Sequence, residues 1–282
     1  MEQGATLKIW GQKDQTGELI CDATSLTTDS AGIGFVPEAT SGQISIYGGN
    51  IIATGNNGAG IGQVNKIDSY SNSESVHTTV SIYYGNVTAT GGDYAAGIGC
   101  ARYSYIRNIY VHGGTVNATG GNLAAGIGSG YEGVPGSAIE VDIMLRGGNT
   151  TAIGGEGGAG VGSGSDASSG ETYIQINKAT VVATGGNGGA GIGLGYHSSK
   201  SPCPIIISNS TVNATGGKKG AGIGSGDQYG SGDEEIERTV DITNSTVTAT
   251  GEADGRVAGA GIGGGAYSCG FDVRIVGSTV KA

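Results

Sequence analysis

Apolar residues recur along the chain in short alternating triplets, Val80-Ser81-Ile82, Val141-Asp142-Ile143, Val240-Asp241-Ile242 and Val273-Arg274-Ile275 among them. Period-two alternation predicts a short strand with the two apolar side chains inside and the variable one outside. A second alternating stretch follows each triplet. In Thr211-Val212-Asn213-Ala214-Thr215, Val212 and Ala214 point inward, while Thr211, Asn213 and Thr215 point out. Glycine-rich turn chemistry then separates it from a third short stretch, Ala221-Gly222-Ile223-Gly224, with Ala221 and Ile223 read as inward and both glycines as outward.

This unit repeats. Ala-Gly-Ile-Gly begins at Ala31, Ala59, Ala96, Ala125, Ala190, Ala221 and Ala260, with Ala-Gly-Val-Gly at Ala159, at intervals of 28 to 39 residues. Ala-Thr-Gly precedes most copies by six or seven residues, as at Ala89, Ala118, Ala183 and Ala214. A fixed unit carrying an elastic segment is a rung with an insertable loop. With 60 glycines, two Phe and one Trp in 282 residues, bulky aromatics cannot build the core, so stacked Ala, Val and Ile must fill a narrow interior. The expected fold is all-β: a single-stranded parallel β-helix of about eight rungs, each with three short strands, and variable loops along one edge. Residues 1–30 lack the second-strand marker and are read as an irregular N-terminal rung or cap, with Leu7-Lys8-Ile9 as a candidate strand; residues 31–282 are the β-helix. Rungs stack at about 4.8 Å, so eight make a rod of roughly 38 Å.

The stacked Val-x-Ile, Ser-Thr-Val-x-Ala-Thr-Gly-Gly and Gly-Ala-Gly-Ile-Gly segments, from Ile44 to Ala282, resemble the right-handed parallel β-helix superfamily. More loosely they resemble the glycine-rich repeats of carbohydrate-binding or adhesin-like bacterial surface proteins. The resemblance implies a fold more than an activity, because the superfamily hosts lyases, hydrolases, phage spikes and non-enzymatic adhesins alike.

Charge narrows the partners. A formal net charge of −10 provides no basic footprint for nucleic acid or an anionic membrane. Neutral glycans, cations and other proteins remain. No apolar run reaches membrane-spanning length, and the first residues have no signal-peptide features. The sequence reads as an excised part of a larger protein, extracellular or at the cell surface. Cys21, Cys100, Cys203 and Cys269 are too sparse for a disulfide framework and lack zinc spacing, and they leave the redox compartment open.

Three exterior faces follow from three strands. The first, bearing Ser45, Ser81, Tyr110, Asp142, Gln175, Ile206, Asp241 and Arg274, shares no chemistry. The second is a Thr/Asn ladder that suits strand stacking or, as in ice-binding rods, ordered water; Ile52, Ile153 and Val182 interrupt it. The third bears glycine at both outward positions of every copy, from Gly32 and Gly34 to Gly261 and Gly263. Either positive φ or close approach of another group explains such a strip. That group is a glycan, a second chain, or the protein's own backbone at a tight corner or loop.

Candidate chemistry lies in the loops that leave the glycines. Phe35, Tyr103, Tyr105, Tyr131, Tyr196, Tyr229 and Tyr267 come soon after them, and Tyr70 and Tyr173 later. Tyrosine offers a stacking face and a hydroxyl to sugar rings, or else serves as a lid on glycine backbone. Arg102 and His197 join the tyrosines as candidate ligand-binding residues. The expected function is glycan binding without catalysis, with no cofactor. The alternative is a glycoside hydrolase or polysaccharide lyase using loop carboxylates, Glu132 with Asp166 or Asp227 with Glu171, since Asp142 and Asp241 lie three rungs apart. A structural adhesin stalk or ice-binding rod is the second alternative. The acidic run from Asp227 to Glu235 is the one candidate for Ca²⁺, although it lacks EF-hand spacing.

Overall fold

A computed structural model describes residues 4–12, 14, 16–35, 41–64, 77–132, 141–167, 171–198, 202–228 and 238–282. Its strands form three parallel sheets that run the length of a solenoid, with nine strands in the first sheet and eight in the third. Each rung contributes one strand to each sheet. The sixth, for example, comprises Thr172–Asn177, Thr180–Thr184 and Ile192–Gly193. Among the described residues there are eight complete rungs, and Asp272–Val276 and Thr279–Lys281 open a ninth. No helix among them is long and apolar enough to cross a membrane.

The alternation read from the sequence sets the register. Val80, Ile109 and Ile143 align in the first sheet, and Val87, Val116, Thr150 and Val181 in the second. Inward aliphatics such as Ile82, Ile98, Ile127, Ile143 and Ile174 are fully buried in one continuous core. Thr6–Ile9 and Glu18–Asp22 pair with Ser41–Ile46 and Asn50–Thr54, so residues before Ala31 supply the first two strands of the first rung. Leu7 and Ile9 pack against the core from there.

The second sheet bears the Thr/Asn ladder in register, with Asn86, Thr115 and Asn149 in one column and Thr88, Asn117 and Thr151 in the next. Rung-to-rung bonding occurs within it: Asn86 Nδ2 donates to Asn50 Oδ1 at 2.9 Å.

The glycine strip corrects one expectation. It is not an exposed face, since thirteen of its sixteen glycines are buried, and the partly buried Gly32, Gly34 and Gly261 belong to the end rungs. Two physical causes act, one at each position. A Cβ on Gly97 would sit 2.7 Å from Thr119 N and 2.8 Å from Gly126 O, because the third strand turns directly against the second sheet of the next rung. The second glycine of each copy from Gly62 to Gly263 has φ between +128° and +146°, a region open essentially to glycine alone. There a Cβ on Gly99, Gly128, Gly162 or Gly193 would collide with the carbonyl oxygen of the equivalent glycine one rung on. The group approaching the glycines is the protein's own backbone, at a tight corner.

All four cysteines are free thiols. Burial pushes Cys100 up to about 11 and Cys203 up to about 12, so both stay protonated and inert at neutral pH.

Candidate functional site

Two turns build one corner of the solenoid. The first, between the second and third strands, carries Asn57, Tyr94, Leu123, Gly157, Gly188 and Lys219 at equivalent places, all with positive φ. The second, leaving the third strand, carries Arg102-Tyr103, Tyr131-Glu132, Ser165-Asp166, Tyr196-His197, Asp227-Gln228 and Ala266-Tyr267. Backbone bonds lock the turns together across rungs. Tyr131 N donates to Tyr94 O, Ser165 N to Leu123 O, Tyr196 N to Gly157 O and Asp227 N to Gly188 O, at 2.7 to 3.1 Å. Glu132 N donates to Ser165 O, Asp166 N to Tyr196 O and His197 N to Asp227 O, at 2.8 to 3.0 Å. Sequence positions some thirty residues apart therefore become neighbours at rung spacing, about 4.8 Å.

Most sequence-predicted residues meet on this corner. Arg102 lies over the rings of Tyr103, Tyr131 and Tyr94, with its guanidinium carbon 4.4, 4.9 and 5.4 Å from their centroids. It donates to Glu132 Oε2 at 3.2 Å and to the Tyr103 hydroxyl. A hydrogen bond to Glu132 raises the Tyr103 hydroxyl pKa. Burial does the same at Tyr131, helped by Glu132 and Asp166. Further along, Tyr196 stacks on His197 with centroids 3.8 Å apart, and His197 Nδ1 lies 3.5 Å from Asp166 Oδ1. Glu132 and Asp166 thus occupy the same turn place on adjacent rungs, each with a basic side chain on its outer side.

Beyond them an open groove of about 290 Å³ is lined by Leu123, Glu156, Gly157, Asn187, Gly188, Tyr196, Lys219, Asp227 and Asp254. Gly188 forms part of its floor for a steric reason. A Cβ there would come 3.0 Å from Tyr196 Cδ2, so the ring packs on bare backbone. Tyr267 ends the lane, 57% exposed.

Other candidates fall elsewhere. Tyr105 is a correction: it is 6% exposed and belongs to the core, because its segment turns inward beside Ile106. Phe35 is likewise core. Glu171 sits at the entry to a first-sheet strand, where its charge acts on Cys203, and does not share the turn place of Asp227. Tyr70, Tyr229 and Asp233 to Glu235 lie outside the described residues. Among the described residues no group of three or more His, Cys, Asp or Glu is arranged to hold a metal ion.

The sequence reading missed a second aromatic assembly. Trp10, Tyr47, Tyr83 and His112 each follow a first-sheet strand and stack face to face, with centroids 4.1, 4.7 and 4.6 Å apart and planes within 8°. Its signal is an aromatic placed directly between an apolar triplet and glycine, as in Ile46-Tyr47-Gly48 and Val111-His112-Gly113. Burial lowers the His112 pKa, and Arg146 adds to the effect. The neutral imidazole is thus favoured on folding, so its contribution is present above the unfolded value of about 6.5 and is lost as pH falls through the folded one. Replacing His112→Phe keeps the stack without the titration. The variant's melting temperature should therefore fall less than the wild type's between pH 7 and pH 5; equal slopes would remove His112 from the account.

Six stretches, residues 44–62, 80–102, 109–131, 174–196, 205–227 and 240–266, match the family model described as Beta helix repeat. Neither the curated proteins nor the solved structures gave a match. The matched stretches run from the first-sheet strands through the first corner turn to the third-strand glycines, and five of the six reach the second corner turn. Repeat match and stacked parallel sheets together make the chain a member of the right-handed parallel β-helix superfamily.

Proposed function

We propose that the protein is a non-catalytic glycan-binding module, working outside the cell or at its surface, whose binding surface is the corner strip rather than the glycine strand. One observation carries the reading: the turns align Tyr94, Tyr103, Tyr131, Tyr196 and Tyr267 with Arg102, His197 and Asp227 along one side of the rod, next to an open groove. A linear polysaccharide is a repeating object, and a strip with residues at rung spacing offers it repeated contacts. Partly exposed tyrosines supply apolar ring faces and edges; guanidinium, carboxylate and amide groups supply bonds to hydroxyls.

A panel of neutral polysaccharides, scored for retention and for release of reducing ends, tests the reading. Retention without release is expected, falling at least tenfold in the Tyr131→Ala, Tyr196→Ala double variant. Release of oligosaccharides abolished by Glu132→Gln or Asp166→Asn would instead favour the hydrolytic reading, which rests on the adjacent-rung placement of these two carboxylates. No retention anywhere on the panel would leave a structural rod.

A further inference from the structure

The groove beside Tyr196 is cut by two missing side chains. At the first corner turn the equivalent place holds Tyr94, Leu123, Gly157, Gly188 and Lys219 on the third to seventh rungs, all with positive φ, as has Asn57 on the second. Asn57, Tyr94, Leu123 and Lys219 hold φ between +53° and +66° with a side chain in place, so this backbone does not by itself demand glycine. Gly157 and Gly188 therefore leave a recess two rungs long, about 9.6 Å, between the side chains of Leu123 and Lys219.

The recess runs parallel to the rod axis, because Leu123, Gly157, Gly188, Lys219 and Asp254 reach it from five successive rungs. It is straight for the same reason, since each rung repeats the place of the one before. Tyr196 supplies one wall, its ring packed on Gly188, and Glu156, Asn187 and Asp227 add polar side chains to the lining. Lys219 Nζ lies 3.7 Å from both Asp227 Oδ2 and Asp254 Oδ2, and so is tied to the wall at its end of the recess. Three carboxylates against one ammonium repel an anionic glycan, whereas carboxylate oxygens accept hydrogen bonds from neutral hydroxyls.

We propose that this recess binds two successive residues of a neutral, β-1,4-linked polysaccharide, its chain running along the rod axis. The inference rests on the glycan-binding reading and names the substrate class. A chain of pyranose rings joined through equatorial oxygens is straight and ribbon-like, and each ring advances by about one rung spacing. Its hydroxyls project sideways, toward the polar walls, and its ring faces lie flat, toward Tyr196 and bare backbone. Chains linked α-1,4 or β-1,3 coil instead, and leave a straight recess after one ring.

Calorimetric titration with hexamers of equal length tests the proposal, setting β-1,4-linked hexamers of glucose, mannose and N-acetylglucosamine against maltohexaose and laminarihexaose. At least one β-1,4 hexamer is expected to bind at least tenfold more tightly than both coiled ones. Gly157→Asn restores a side chain that the same turn carries at Asn57, and should weaken that binding at least tenfold. Asn187→Trp, a change at an exposed lining residue, should do the same and keeps the test decisive if Gly157→Asn does not fold. Equal or tighter binding of maltohexaose or laminarihexaose overturns the proposal, as does failure of every β-1,4 hexamer to bind or unchanged affinity in a folded Asn187→Trp variant. Retention of any polysaccharide on the neutral panel upholds the glycan reading even then, so the two are judged separately.

Discussion

Gly162→Ala is expected to unfold the middle of the rod or to lower its stability by roughly 2–6 kcal/mol. Two costs add. Gly162 has φ +138°, where an L side chain is strained by about 1–3 kcal/mol. The new methyl would also strike the Gly193 carbonyl, with Gly193 C only 2.8 Å away, and overpacking of a rigid interior costs about 1–3 kcal/mol more. Neither neighbour can give, since Gly128 and Gly193 are members of the same stack, bonded from rung to rung. Gly270→Ala is the control: nothing lies within 4 Å of its Cβ position, so its urea midpoint should change by no more than about 0.5 kcal/mol equivalent. A Gly162→Ala midpoint as mild as the control's would overturn the backbone-contact explanation of the glycine repeat.

Ile143→Ala is expected to cost about 2–5 kcal/mol, near the upper end. Ile143 is fully buried, and its Cδ1 lies 3.2 Å from the Cβ position of Gly128, so its side chain reaches across the narrow interior to the opposite strand. The resulting cavity would lie in the continuous apolar core beneath a strand held by pairing on both sides, which relaxes little. Val273 holds the corresponding place on the last rung but is 44% exposed, and Val273→Ala should cost less than half as much. In a solenoid each rung contacts only its neighbours, so hydrogen exchange in Ile143→Ala should rise first in the fourth to sixth rungs. Uniform loss of protection along the whole rod would contradict this.

The repeat made the fold legible because one set of side chains performs the same task in every rung. Val80, Ile109 and Ile143 alternate with outward residues, and that alternation decided both strand and register. The same rule failed at the third strand. Ala221-Gly222-Ile223-Gly224 looks like four alternating residues, but only Ile223–Gly224 is strand, and Gly224 at φ +137° leaves the ordinary β region. Alternation carries meaning only where the backbone is regular, so an inward contact was read as an outward face.

The corner was half legible. That tyrosines follow the glycines was plain, and stacking brought Tyr103, Tyr131 and Tyr196 to one side. Their partners were not, because Arg102 meets Glu132, and Asp166 meets His197, across rungs some thirty residues apart. Tyr105 misled because its neighbours Tyr103 and Ile106 point to solvent and core respectively, and nothing in the sequence marks where the loop turns inward. The Trp10, Tyr47, Tyr83 and His112 stack escaped notice because its members differ in type while sharing a place.

The central claim is that glycan binding belongs to the corner. Its most direct test compares Tyr196→Ala with Tyr110→Ala, a tyrosine on the first sheet, by affinity electrophoresis through the polysaccharide that retains the wild type. At least tenfold weaker retardation is expected for Tyr196→Ala and unchanged retardation for Tyr110→Ala. Unchanged retardation in a folded Tyr196→Ala variant, or equal loss in both, would contradict it.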